Sequence, residues 1–137
     1  MIGVLLRLPH EVVVARILEA LNGSGFDLSG TELSIFLYPG PDGRRPIDLA
    51  RQCNMSRQAM NYVLAGLERR GYVERRDGSG AAARRVRLTT RGRAMVPVIR
   101  RCVAAIEKEW TAHIGSKRFA VLRETLDDLS HWLGKLD

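Results

Sequence analysis

Two cysteines and three histidines in 137 residues leave little material for metal or redox chemistry. Cys53 and Cys102 form no CxxC, and His10, His113 and His131 are scattered, so no zinc-ligand spacing exists and no metal or cofactor is expected. Enzyme signatures are missing too. There is no Ser-His-Asp or Cys-His constellation at a local spacing and no phosphate-binding glycine motif, so an enzyme is not expected. Long apolar runs are also absent. The apolar start, Ile2 to Leu6, is interrupted by Arg7, Pro9 and Glu11 too early for a signal peptide, and nothing reaches membrane-spanning length. A soluble chain in a reducing cytoplasm, with no membrane partner, is the expectation.

What is present is arginine, in one place. The net charge is +7, with 45% of residues apolar, which suits a single globular domain with a basic face. Residues 44–93 hold thirteen arginines against Asp48, Glu68, Glu74 and Asp77, a net of +9 that leaves −2 for the rest. Arginine binds phosphate or guanine through two parallel hydrogen bonds, which lysine cannot do. That excess points to a polyanionic partner.

The periodicity is mainly helical. Residues 9–21 place Val12, Val13, Ile17, Ala20 and Leu21 on one helical face, with Pro9 in the first turn and Asn22-Gly-Ser-Gly as the stop. Ser29-Gly-Thr-Glu32 is a capping-box pattern that starts a second helix carrying Leu33, Phe36 and Leu37. After a loop rich in proline and glycine, Pro46 opens a third helix. Ser56 caps a fourth, with Met55 and Met60 as a hydrophobic staple and Ala59, Met60, Val63, Leu64 and Leu67 as its apolar face. Arg69-Arg70-Gly71 ends it.

Residues 72–76 and 84–89 read as two strands of a hairpin turning at Asp77-Gly78. From Thr90, read as an N-cap, a long helix runs to about Ile114 with the stripe Met95, Ile99, Cys102, Val103, Ile106 and Trp110. Pro97 predicts a kink or an irregular first turn. The last helix spaces Phe119, Leu122, Leu126, Leu129, Leu133 and Leu136 like a heptad seam, with Trp132 beside it. Either it packs on its own domain or it shares the seam with a second chain. The second reading is favoured, because two long apolar helices exceed what a small winged domain covers.

The order of elements is that of a winged helix-turn-helix over residues 46–89. The fold class is mainly α with a small β-hairpin wing: an N-terminal helix (1–28), a winged helix-turn-helix domain (29–89) and C-terminal helices (90–137), the flanking segments serving dimerisation. The fourth helix, apolar on one side, presents Arg57, Gln58, Asn61 and Tyr62 on the other, in the first turns, where recognition helices meet base edges. Arg57 suits guanine, and Gln58 or Asn61 suits adenine. Tyr62 is expected to tuck its ring against the domain and offer its hydroxyl to a phosphate. Arg75, Arg76, Arg84, Arg85 and Arg87 lie on the hairpin strands, where alternation lets at most half face DNA. Arg51 and the Arg44-Arg45 pair are candidates for phosphate contacts.

The run from Asp48 to Arg76, with Leu67-Glu68, Gly71-Tyr-Val73, Arg87-Leu-Thr89 and Gly92-Arg93, resembles the MarR family of regulators. The resemblance covers about residues 29–93. It implies a homodimer in which the first helix and the last two interlock, here through Val13, Ile17, Ile106, Trp110, Leu122, Leu126, Leu129 and Leu133. It also implies winged lobes in successive major grooves of a pseudo-palindrome in double-stranded DNA, repression, and release by a small aromatic or anionic effector. The recognition-helix positions of the family fall on Arg57, Gln58, Asn61 and Tyr62. One departure stands out: Gly78-Ser-Gly-Ala-Ala-Ala83 carries alanine where family wing tips carry an arginine, so Arg84 or Arg85 would have to substitute. For an effector site, His10 and the turn from Trp110 to His113 are the places to look. Cys53 and Cys102 offer a redox-sensor option, but the helical pattern puts both on buried faces, where an inert thiol is expected. The rival function is a winged-helix module for protein or RNA binding without operator specificity.

Overall fold

The computed structural model describes residues 1–37, 39–76 and 84–134. Helix α1 spans Ile2–Gly23, α2 Gly30–Phe36, α3 Pro46–Gln52 and α4 Arg57–Arg69. Strands β1 (Val73–Arg76) and β2 (Arg85–Leu88) follow, then α5 (Thr90–Ile114) and α6 (Ser116–Trp132). No helix among the described residues is long and apolar enough to cross a membrane.

Helix starts follow local chemistry. The capping box at α2 is complete: Ser29 Oγ accepts from the Glu32 amide, and Glu32 Oε1 accepts from the Ser29 amide at 2.9 Å. Two starts differ from expectation. Helix α1 begins at Ile2, so Pro9 is interior; the ladder bond it removes would have been made by the Leu5 carbonyl, on a segment exposed enough for water to serve instead. Helix α5 is capped by Thr89, not Thr90, because Thr89 is extended and its hydroxyl accepts from the Gly92 amide at 3.0 Å. Pro97 lies inside α5, on an exposed position.

The antiparallel pair registers Val73 with Leu88, Glu74 with Arg87, Arg75 with Val86 and Arg76 with Arg85. Tyr72, expected to begin the strand, is instead a fully buried anchor beneath it. Likewise Arg84 and Thr89 fall just outside β2. The Pro-Gly loop before α3 is pinned to the wing. Gly43 donates to the Val86 carbonyl at 2.7 Å, Val86 donates back to the Arg44 carbonyl at 2.8 Å, and the Leu88 amide donates to Asp42 Oδ1 at 3.1 Å.

One apolar core joins Ile17 and Leu21 of α1, Leu33, Ile35 and Phe36 of α2, Leu49 of α3, Met60, Leu64 and Leu67 of α4, the wing base, and Met95 and Val98 of α5. Arg16 of α1 forks onto the Glu109 carboxylate of α5, holding the carboxyl below its usual range. Ile17 and Ile106, expected at a two-chain seam, are buried within this chain; α1 packs against α5 and leaves them no surface to offer. Val13 and Trp110 are half-buried. Along α6 only Phe119 is buried, while Leu122, Leu126, Leu129 and Leu133 stay exposed and Trp132 is 80% exposed. Leu136 lies outside the described residues, as does the wing tip, residues 77–83. Cys53 and Cys102 are half-buried rather than enclosed: α2 covers Cys53 only partly, and Cys102 sits at the margin of the core.

Candidate nucleic-acid interface

Helices α3 and α4 are joined by a turn whose geometry is set by Asn54, at φ 53°, a left-handed conformation asparagine tolerates better than most residues. The Met55 amide closes the turn on the Ala50 carbonyl at 2.8 Å. Ser56 Oγ then accepts from the Ala59 amide at 3.1 Å and starts α4. Met60, Leu64 and Leu67 are fully buried, and this fixes the rotation of the helix. Gln58 and Tyr62 are consequently exposed, Arg57 is exposed at the first position of the helix, and Asn61 is half-buried beside them. Tyr62 is 77% exposed, so its ring does not tuck against the domain: it lies across the helix from the apolar stripe.

The arginines around this face divide into committed and available ones. Arg45 donates through Nε and a terminal nitrogen to both Asp48 oxygens, at 2.9 and 3.3 Å, which draws the Asp48 carboxyl below its usual range. Arg51 touches Asp48 only at 3.8 Å and leaves 76% of its side chain exposed. Arg85 donates to the Gly43 carbonyl at 2.9 Å yet is exposed, as is Arg84. Arg76 is exposed and paired with Glu74 at 2.7 Å. Arg75 is on the other face of the strand, opposite Val86 and turned toward α4.

Behind the interface lies a polar cluster that the sequence reading missed. The Tyr72 hydroxyl donates to Asp27 Oδ1 at 2.6 Å and accepts from the Asp27 amide and from Arg91, both at 3.1 Å. The Arg91 guanidinium sits 4.5 Å from the ring centroid, and Arg70 pairs with Glu32 and donates to the Asp27 carbonyl at 2.7 Å. The Tyr72 bond holds the Asp27 carboxyl below its usual range, with Arg70 and Arg91 adding to the effect. Loop, α4, wing base and α5 meet here. These partners are 19 to 45 residues apart, beyond any local pattern.

A second candidate site is a cavity of about 490 Å³ between α2, the loop after it, β2 and α5. It is lined by Phe36, Leu37, Leu88, Val96, Ile99 and Val103, with Arg100 and Glu107 also at its wall. His10 and the turn from Trp110 to His113 do not line it; His10 and His113 are exposed on the outer faces of α1 and α5. No cluster of metal-ligating side chains occurs among the described residues.

The family model for the MarR family matches residues 26–85, which carry the helix-turn-helix and most of the wing. Over that stretch the chain resembles the MarR family. Among solved structures, the chain is similar to the Mycobacterium tuberculosis MarR family protein Rv2887 in complex with salicylic acid. Identity is 28%, coverage 94% of this chain and 96% of that one, and the TM-score 0.65. Rv2887 in complex with DNA matches at 27% identity, 94% and 97% coverage and TM-score 0.64. A MarR-family regulator from Rhodococcus sp. RHA1, at 19% identity, shares the fold with TM-score 0.70 over 94% of this chain and 93% of that one. A search of curated proteins finds no match.

Proposed function

We propose that this chain is a member of the MarR family and a homodimeric, sequence-specific DNA-binding repressor of a pseudo-palindromic operator, responsive to a small aromatic or anionic ligand. The observation that carries the reading is the α4 face: Arg57, Gln58 and Tyr62 are exposed in the first turns of a helix whose opposite side is fully buried. Residues 29–89 act as the reading domain, and the helices before and after it as dimerisation segments. Arg57, Gln58 and Asn61 meet base edges, while Tyr62, Arg51, Arg76, Arg84 and Arg85 contact the backbone and set the register. The existence of a DNA complex of Rv2887 supports this assignment.

Dimerisation is supported by apolar surface this chain leaves uncovered. Ile2, Val4, Leu5 and Leu8 on α1, Leu122, Leu126 and Leu129 on α6, and Leu133 just past its end are all exposed, more than a monomer ordinarily leaves in water. Two-fold symmetry would place the α4 helices in half-sites about one helical turn apart. Ligand response is supported by the cavity against α5, whose volume suits a small molecule and whose wall carries Arg100 among apolar side chains. Salicylate bound to Rv2887 is a ligand of that chemical type.

Footprinting of the protein on its own upstream DNA tests the reading. The expected result is two protected half-sites related by symmetry, bound ~1000-fold more tightly than unrelated duplex. Arg57→Ala should lose about 1–3 kcal/mol of discrimination at one base pair, and Arg51→Ala should weaken all sequences alike and lower the salt slope by about 1. Uniform weak binding to every duplex would overturn the assignment in favour of a module for protein or RNA.

A further inference from the structure

One side chain joins the wing to the recognition helix. Arg75 faces inward from β1, on the same side as the buried Val73, with 18% of its side chain exposed. Its Nη1 donates to Asn61 Oδ1 at 3.2 Å. Its backbone amide donates to Glu68 Oε2 at 3.2 Å, and its Nε lies 3.6 Å from the same oxygen. Glu68 thus seats the guanidinium, and Asn61 receives it.

Arginine has five donors and no acceptor, so the Asn61 atom that faces it is the carbonyl oxygen. A carboxamide without such a neighbour can turn by half a rotation and exchange its acceptor for its donors. Here that exchange would set the amino group against the guanidinium, donor against donor, and lose a part-buried hydrogen bond. The amide therefore has a fixed polarity, oxygen toward the wing and amino group away from it. Base pairs present donors and acceptors across the major groove in a definite order, and A·T and T·A reverse it. A reader of fixed polarity distinguishes those orders, and a freely turning one does not.

We propose that Arg75 is a positioning residue for sequence reading: by holding Asn61 Oδ1 it fixes the donor–acceptor polarity of Asn61 and sets the base pair preferred at one position of each half-site. The inference rests on the DNA-reading function proposed above. It moves Arg75 from the direct DNA contacts to the residues that act through another.

The test is selection of bound duplexes from a randomised pool, followed by anisotropy titrations, with wild type, Asn61→Ala, Arg75→Met and the double variant. Asn61→Ala and Arg75→Met should relax the preference at the same base pair, by roughly 5- to 150-fold, the span of one bidentate contact. The double variant should be no more relaxed than either single one. Arg76→Met, which removes the exposed neighbouring charge, should weaken all sequences alike and lower the salt slope. If far-UV circular dichroism shows Arg75→Met to be unfolded, Glu68→Gln carries the comparison: it unseats the guanidinium and should relax the same base pair by less. Uniform weakening with base preference intact, or relaxation at a base pair other than that of Asn61→Ala, overturns the inference. A wild type with no preferred sequence overturns the DNA reading along with it, whereas a selective wild type whose variants keep its preference overturns only the role of Arg75.

Discussion

A single methyl group added at Gly92 should unseat the joint between the wing and α5. Gly92 is buried in the first turn of α5, and a Cβ there would lie 2.1 Å from the Tyr72 carbonyl oxygen and 3.2 Å from Leu88 Cδ2. Ordinary contact begins near 3.4 Å, so about 1.3 Å of separation has to be found against the carbonyl. Tyr72 cannot easily give it. Its carbonyl accepts from the Thr89 amide at 3.2 Å, and its side chain is enclosed and bonded to Asp27 and Arg91. Overpacking of this kind costs about 3 kcal/mol, and the better helix propensity of alanine returns at most about 1, a net loss of about 2 kcal/mol. Urea unfolding followed by circular dichroism, at one protein concentration, measures it. Gly66→Ala is the matched control. A Cβ at Gly66 meets only the ends of Arg69 and Arg70, at 3.8 and 3.9 Å, so the same substitution there should stabilise by about 1 kcal/mol. Gly92→Ala as stable as wild type would refute the packing argument.

Other perturbations test separate parts. Ser56→Ala removes the cap of α4 and should cost about 1 kcal/mol in the same unfolding assay. Leu126→Glu with Leu129→Glu places charge on the exposed α6 stripe, and sedimentation should then show monomers at concentrations where the proposed dimer of wild type forms. The Asp27 carboxyl is depressed in the folded state, first by the Tyr72 hydroxyl, so its contribution to stability is present above about pH 4 and lost as pH falls through the folded value. Tyr72→Phe should flatten that acid-side loss, as read from thermal melts across pH 2 to 6; an unchanged slope would show that the bond does not govern the titration.

Much of this was readable from local signals. The caps at Ser29 and Ser56, the turn residues and the helical spacing of Met60, Leu64 and Leu67 act within a few residues, where propensity and side-chain hydrogen bonds dominate. The polar face of α4 follows from its buried face and the exposed first position from its cap, so Gln58 and Arg57 could be placed without a structure. Which arginine is committed could not. Arg70, Arg75 and Arg91 are engaged by partners on other elements, whereas Arg45 pairs with Asp48 only three residues on. The first helix was also misjudged, because Pro9 suits a helix start and the exposed turn before it carries no cap side chain to signal otherwise.

By itself, then, the sequence determined the order of the elements, the helix-turn-helix and the residues on its outer face, since each depends on periods of two to four residues and on caps. Tertiary structure decided the rest. It turned Arg75 inward onto Asn61, buried Ile17 and Ile106 within one chain, and left most of the α6 stripe exposed. It also gathered Asp27, Arg70, Tyr72 and Arg91 into one cluster. Those outcomes depend on which surfaces meet, and residues far apart in the chain settle that by packing and charge.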